Sequence, residues 1–299
     1  MTSCVWSFTE SEGAAGRLAQ ALGLTHHPVA VHRFPDGESL VRITPSDHET
    51  AILYRSLDDP NAKIMELLLA ASALRDNGAQ RVVLVAPYLA YMRQDIAFHP
   101  GEAVSQRVMG QLIASHFDAL VTVDPHLHRI GRLEDAIPGI TAIALSASSP
   151  LVAMLREDLP TDTLLIGPDS ESRQWVEQVA EGLGLEFIVG QKRRQGDRAV
   201  DVDLPGIEKV CGRPALLIDD LISSGGTLLS CAALLRKAGA IRVEAAASHC
   251  LATSRDLARL AEGGVERVRA TDTVPGPAAC AFVAKIIAAA LRSSGLLGR

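Results

Sequence analysis

Aromatic residues are scarce, at 4% of 299 positions. The apolar content of 47% is therefore mostly aliphatic, a composition suited to buried parallel strands and the helices covering them. Cysteine is scarce too. Cys4, Cys211, Cys231, Cys250 and Cys280 are odd in number and widely spaced, with no Cys-x-x-Cys pair. This pattern argues against a disulfide framework or a thiolate zinc site and predicts a reducing, cytoplasmic setting. No apolar run is long enough for a transmembrane helix. The segment Met1–Gly13 lacks a basic patch followed by an apolar stretch, so no secretory signal is expected. Basic residues do not predominate either: 29 Lys and Arg face 35 Asp and Glu, a formal charge of −6. A general nucleic-acid binder is usually basic, so nucleic acid and membrane are not expected partners.

Length and patterning say more. A chain of 299 residues predicts two domains at about 150 residues each. From residue 50 onward, short aliphatic runs alternate with helical patterns. Asp59-Pro60 predicts a helix start, with Asp capping and Pro at the first position. Ile64, Leu67, Leu68, Ala71 and Leu74 then share one face. Strands are predicted at 81–86, 120–123, 164–166, 186–189, 215–218 and 241–247. Helices are predicted at 103–115, 171–182, 227–238, 254–261 and 277–292. This alternation predicts an α/β protein with mainly parallel sheets flanked by helices. Ser146-Ala147-Ser148-Ser149-Pro150 interrupts it, placing domains at 1–147 and 148–299, with the last helix free to pack back on the first domain.

The strongest chemical signal is Leu216-Leu217-Ile218-Asp219-Asp220-Leu221-Ile222-Ser223-Ser224-Gly225-Gly226-Thr227. An aliphatic strand leads into two acids, then into a small hydroxyl-rich loop that opens a helix. Ligands of parallel α/β sheets bind beyond the C-terminal ends of strands. Gly225 and Gly226 let the backbone approach an anion. The free N–H groups of the next helix complement a phosphate, and Ser223, Ser224 and Thr227 add hydroxyl donors. Asp219 and Asp220 can accept from sugar hydroxyls or meet a metal-bound sugar. A tight turn alone explains the glycine and serine but not the adjacent acids. The segment resembles the phosphoribosyl-pyrophosphate loop of type I phosphoribosyltransferase-fold proteins, with Ser224 where Thr is usual.

Further motifs occur in order: Arg33-Phe34-Pro35-Asp36-Gly37-Glu38, Tyr91-Met92-Arg93-Gln94-Asp95, Gly101-Glu102-Ala103-Val104-Ser105, Val123-Asp124-Pro125-His126, Gly167-Pro168-Asp169, Lys192-Arg193-Arg194 and Thr271-Asp272-Thr273-Val274-Pro275. Taken alone, Arg33–Glu38 reads as a hairpin, because Pro-Asp-Gly is a strong turn signal. Arg93–Asp95 reads equally as a polar turn or an anion and base contact. Lys192–Arg194 reads as a solvated basic loop. Together they are similar to the ribose-phosphate diphosphokinase family, over about residues 30 to 290.

That resemblance implies two type I phosphoribosyltransferase-like domains, an ATP side and a ribose 5-phosphate side, in a homo-oligomer between dimer and hexamer. It implies Mg2+-dependent transfer of the diphosphoryl group of ATP to the C1 hydroxyl of ribose 5-phosphate. ATP would be held by Phe34, Asp36, Glu38, Arg93, Gln94 and Asp95. His126 and Asp169 would organise the metal. Lys192 and Arg194, on a closing loop, would stabilise the transition state. Asp219, Asp220 and Ser223–Thr227 would hold ribose 5-phosphate. Pro125 stands where the family has an aliphatic residue, and His128 and Arg193 receive no role. Two rivals share parts of this pattern: a noncatalytic regulatory homologue, and a phosphoribosyltransferase using the same sugar-phosphate loop.

Overall fold

The computed structural model describes residues 2–46, 48–127, 129–195 and 199–297, with the backbone alone over 192–195 and 199–202. The chain forms two compact units. One comprises residues 1–145, 273–275 and 283–299; the other comprises 146–272 and 276–282.

The first unit contains β1 (Ser3–Ser7), α1 (Glu12–Leu22), β2 (Thr25–Pro28), β3 (Ala30–Arg33), β4 (Ser39–Arg42), β5 (Thr50–Tyr54), α2 (Pro60–Asp76), β6 (Arg81–Val85), α3 (Ser105–His116), β7 (Ala119–Val123), α4 (Leu133–Ala136) and β8 (Thr141–Leu145). Its main sheet has six strands in the order β2-β1-β5-β6-β7-β8. Every neighbouring pair is parallel. The central strands β5 and β7 are buried along their whole length, as continuous aliphatic runs covered on both faces must be.

The second unit contains α5 (Ser148–Leu155), β9 (Leu164–Gly167), α6 (Arg173–Leu183), β10 (Phe187–Val189), β11 (Gln191–Gln195), β12 (Ala199–Asp203), β13 (Pro214–Ile222), α7 (Gly226–Lys237), β14 (Arg242–Cys250), α8 (Ser254–Glu262), β15 (Arg267–Thr271) and β16 (Ala279–Ala281). Its sheet order is β10-β9-β13-β14-β15-β16, again all parallel. The two sheets thus share one topology: second strand, first, third, fourth, fifth, sixth. Each also inserts an antiparallel hairpin between its second and third strands, β3–β4 in one and β11–β12 in the other. The last helix, α9 (Ala284–Ser293), belongs to the first unit. There Arg292 donates to the Ala21 carbonyl at 2.6 Å, and Ser3 Oγ donates to the Leu297 carbonyl at 2.6 Å. No helix among the described residues is long and apolar enough to cross a membrane.

Several boundaries differ from the sequence expectation. Asp59 precedes α2 but does not cap it: its φ is 47° and its side chain makes no capping bond. A capping residue needs extended backbone to aim its oxygen at the first-turn N–H groups, and a left-handed residue does not provide it. The closing helix begins at Ala284 rather than 277, because Ala279–Ala281 pairs with β15 as an edge strand.

Gly110 marks the tightest helix contact. A Cβ there would lie 1.8 Å from the Ala136 carbonyl oxygen. Helix propensity favours alanine by about 1 kcal/mol, but the contact outweighs it. Gly110→Ala is expected to lower stability by about 1–3 kcal/mol, read by urea unfolding. A gain in stability would show that α3 and α4 can separate freely.

Candidate active site

In the second unit the chemistry gathers around the end of β13. The strand does not stop at Ile218 as expected; it runs through both acids to Ile222. Asp219 and Leu221 stay in register with Ala247 and His249 of β14, and this ladder satisfies the backbone whatever the side chains are. The turn that follows contains Gly225 at φ 79°, immediately before α7. Gly225 has no alternative there: a Cβ would strike Leu260 at 2.7 Å, whereas one on Gly226 would meet nothing within 4 Å. Ser223 to Thr227 therefore form an open turn at the N-terminus of a twelve-residue helix, where backbone N–H groups and the helix dipole favour an anion.

Asp169 follows β9, the neighbour of β13. Its carboxylate accepts from the backbone N–H groups of Glu171 at 3.0 Å and Ser172 at 3.1 Å, which fixes it at the entry to α6. Asp169, Asp219 and Asp220 thus crowd one sheet edge. Burial, then the charges of Asp220 and Asp169, push the Asp219 carboxyl well above the usual carboxylate range.

In the first unit, Phe34, Asp36 and Glu38 lie on the β3–β4 turn, with Phe34 exposed. The expected hairpin is present: Phe34 N–H donates to the Glu38 carbonyl at 2.8 Å, Gly37 takes φ 93°, and Asp36 Oδ1 accepts from the Glu38 N–H at 3.1 Å. Glu66 of α2 anchors this hairpin. It accepts from Arg33 at 2.9 Å and Ser39 at 3.1 Å, and it pairs with buried Arg55 at 2.6 Å. Burial works against the Glu66 charge, but donation from Arg33 and Arg55 prevails and holds its carboxyl below the ordinary value. Sequence reading missed Glu66 and Arg55, since a lone acid in a helix carries no signal of its long-range partners.

Arg93 is exposed and Gln94 half-buried beyond β6. Gln94 donates to Glu102 at 3.4 Å. The Asp95 side chain is 1% exposed, with Oδ1 paired to Arg129 at 2.7 Å and Oδ2 without a partner. His126, half-buried, follows β7 in the same unit. Among the described residues, the only nonglycine positions with left-handed backbone are Asp59, Tyr91 and Asp124. They follow β5, β6 and β7 respectively, and such strain gathers at ligand-binding edges.

Lys192 and Arg194 lie on β11, paired across to Val202 and Val200. The expected loop is thus a hairpin strand in this structure; their side chains, with Gly196 and His128, lie outside the described residues.

A hard cation suits the carboxylates of the second unit. No group of three or more His, Cys, Asp or Glu side chains among the described residues is arranged to hold a metal by itself. Mg2+ keeps several waters and binds through one or two carboxylates together with substrate phosphates, and oxygen donors of that kind are what Asp169, Asp219 and Asp220 offer.

Duplicated parallel sheets, with an acid-flanked glycine turn after the third strand of one of them, define an α/β protein of the phosphoribosyltransferase fold. The comparisons agree. Residues 3–116 match the N-terminal domain of ribose phosphate pyrophosphokinase, and residues 151–269 match the phosphoribosyl transferase domain. The chain is 37% identical over 279 residues to ribose-phosphate pyrophosphokinase of Methanopyrus kandleri, covering 93% of this chain and 94% of that one. It is 34% identical to the protein of the same name from Thermococcus kodakarensis, covering 83% and 86%. A crystal structure of phosphoribosylpyrophosphate synthetase from Mycobacterium smegmatis superposes with a TM-score of 0.82 at 25% identity, covering 98% and 99%. The chain belongs to the ribose-phosphate pyrophosphokinase family and is an enzyme.

The acid cluster sets a pH dependence. With the Asp219 pKa raised in the fold, the folded chain keeps a proton that the unfolded chain releases. Stability therefore falls as pH rises from the ordinary carboxylate value toward the raised one, and the deficit persists above it. Asp219→Asn is expected to raise Tm at pH 7 in metal-free buffer, by about 2–4 °C for each kcal/mol relieved. The gain should vanish near pH ~4. An Asn variant less stable at pH 7 would contradict the unfavourable charge.

Proposed function

We propose that the protein transfers the diphosphoryl group of ATP to the C1 hydroxyl of ribose 5-phosphate, with Mg2+, giving 5-phosphoribosyl 1-diphosphate and AMP. The observation that carries this reading is the β13–α7 segment, where an anion turn directly follows carboxylates able to accept from ribose hydroxyls. The names of the relatives support the same reaction.

In this reading Ser223, Ser224, Gly225, Gly226 and Thr227 hold the 5-phosphate, and Asp219 and Asp220 hold the ribose. Phe34 stacks on adenine, and Asp36 and Glu38 accept from its amino group. Arg93 faces ATP phosphate, and Gln94 and Asp95 complete the nucleotide site. The hairpin tip serves a neighbouring copy in a homo-oligomer of two to six chains. The C1 oxygen bonds to the β-phosphorus, the bond from that phosphorus to the α–β bridging oxygen breaks, and the electron pair leaves with AMP as the hydroxyl loses its proton. His126 and Asp169 would hold Mg2+, His126 through a water because imidazole is a poor match for a hard ion. Bound there, Mg2+ would neutralise diphosphate oxygen charge. Lys192 and Arg194 supply the positioned positive charge that phosphoryl-type transfer needs in place of a dedicated base. Closure of their hairpin excludes water, which otherwise competes with the sugar hydroxyl.

Purified protein with Mg2+ is expected to form AMP only when ATP and ribose 5-phosphate are both present, read by anion-exchange chromatography. No AMP with or without added inorganic phosphate would refute the reaction. Lys192→Ala is expected to retain ATP binding and lose about two orders of magnitude in turnover; an unchanged rate would remove that residue from the chemistry.

A further inference from the structure

The anion turn is held from one side by α8. Leu260 lies against Gly225, close enough that a Cβ there would meet its Cδ2 at 2.7 Å. The neighbouring residue, Arg259, donates from its guanidinium to the backbone carbonyl of Ser224. Arg259 also faces Asp256 at 3.5 Å. Asp256 is fixed in turn by a reciprocal cap: its Oδ2 accepts from the Thr253 N–H at 3.0 Å, and its own N–H donates to Thr253 Oγ1 at 3.2 Å. The entry to α8 is tied to the end of β13, where the Leu251 N–H donates to the Ile222 carbonyl at 2.8 Å.

We infer that Arg259 is a positioning residue for ribose 5-phosphate, acting by fixing the Ser224–Gly225 peptide so that the Gly225 N–H faces the bound phosphate. The inference rests on the reading of this turn as the sugar-phosphate site. No cis peptide bond occurs among the described residues, and in a planar trans peptide the C=O and N–H point in opposite directions. A carbonyl held on the α8 side therefore turns its N–H away from α8. That is the side left for an anion, since Leu260 fills the space beside Gly225 while the space beside Gly226 is open. The anchor matters because glycine resists rotation of its peptide weakly. A rotated peptide would present its carbonyl oxygen to the phosphate and replace attraction by repulsion. A charge-assisted hydrogen bond restrains that rotation better than a neutral one. Nη2 of Arg259 faces both Ser224 and Asp256; the rigid planar guanidinium fixes the direction of that nitrogen, whereas lysine offers the charge on a freely rotating ammonium.

The test uses the full-length protein and its Arg259→Met and Arg259→Lys variants. Arg259→Met is expected to raise the KM for ribose 5-phosphate about tenfold, with kcat and the KM for ATP unchanged. Arg259→Lys should fall between it and the unaltered protein. Calorimetric titration with ribose 5-phosphate, in the presence of Mg2+ and a nonhydrolysable ATP analogue, should show the same ordering without turnover. Unaltered affinity in Arg259→Met would overturn the inference. So would a joint loss of kcat, both KM values and Tm in which lysine rescues nothing, because that marks a purely structural role. If the unaltered protein neither binds nor consumes ribose 5-phosphate, the assignment of the turn fails and the role of Arg259 fails with it. An active protein with an indifferent Arg259→Met variant overturns the positioning role alone.

Discussion

Arg55 leaves the end of β5 and enters the interior with 2% of its side chain exposed, so its charge has to be met inside the protein. Glu66 meets it at 2.6 Å, Glu10 Oε1 accepts from its Nε at 2.8 Å, and the Phe8 ring lies 3.6 Å beneath the guanidinium. Taking one member from such a buried pair leaves an uncompensated charge, at a cost of about 3–5 kcal/mol. The same Glu66 receives Arg33 and Ser39 from the two strands of the β3–β4 hairpin. The charge balance of the core and the placement of Phe34, Asp36 and Glu38 are therefore one constraint. Removing Glu66 would free the hairpin and also take from Arg55 its buried partner, leaving it Glu10.

The second unit has a buried pair of its own, Arg269 with Glu244 at 2.7 Å, but its sheet edge gathers like charges. Asp169, Asp219 and Asp220 stand together at one sheet edge, and burial, then the charges of Asp220 and Asp169, raise the Asp219 pKa. In the first unit, opposite charges brought together steady the β3–β4 hairpin. In the second, like charges brought together create a demand that a cation or a hydroxylated sugar can meet. On the proposed function, stability is given up at the place where binding is gained.

Much of this was legible in the sequence. Aliphatic runs such as Val82–Val85 and Leu164–Ile166 identify buried strands because a parallel strand covered on both faces admits little else. The turn from Ser223 to Thr227 was legible because a left-handed residue before a helix favours glycine, as at Gly225. What sequence hides is longer in range. The continuation of β13 through Asp219 and Asp220 is set by pairing with β14, which overrides the poor strand propensity of aspartate. Lys192–Arg194 read as a loop because its pairing with Val200 and Val202 joins polar to aliphatic residues without a shared pattern. Arg259 carries no signal in the sequence, because nothing local announces a bond to a carbonyl 35 residues away. Asp59 misled because a good capping residue is recognised by type, while capping itself depends on backbone angle.

That angle at Asp59 has a wider meaning. β5 and β13 hold the same place in the two sheets, and each is followed by a helix entered through a left-handed residue: Asp59 at φ 47° and Gly225 at φ 79°. Glycine adopts this conformation freely, whereas a side-chain-bearing residue is disfavoured there by about 1–2 kcal/mol. The first half thus keeps the outline of an anion turn but places a carboxylate in it, with Arg55 and Glu66 alongside rather than paired acids on the strand. A negative group at that point would repel the phosphate that its counterpart receives in the proposed function. On the proposed function, a chain with two matching halves takes up one sugar phosphate rather than two, and its binding stoichiometry is decided by residue type at a single turn.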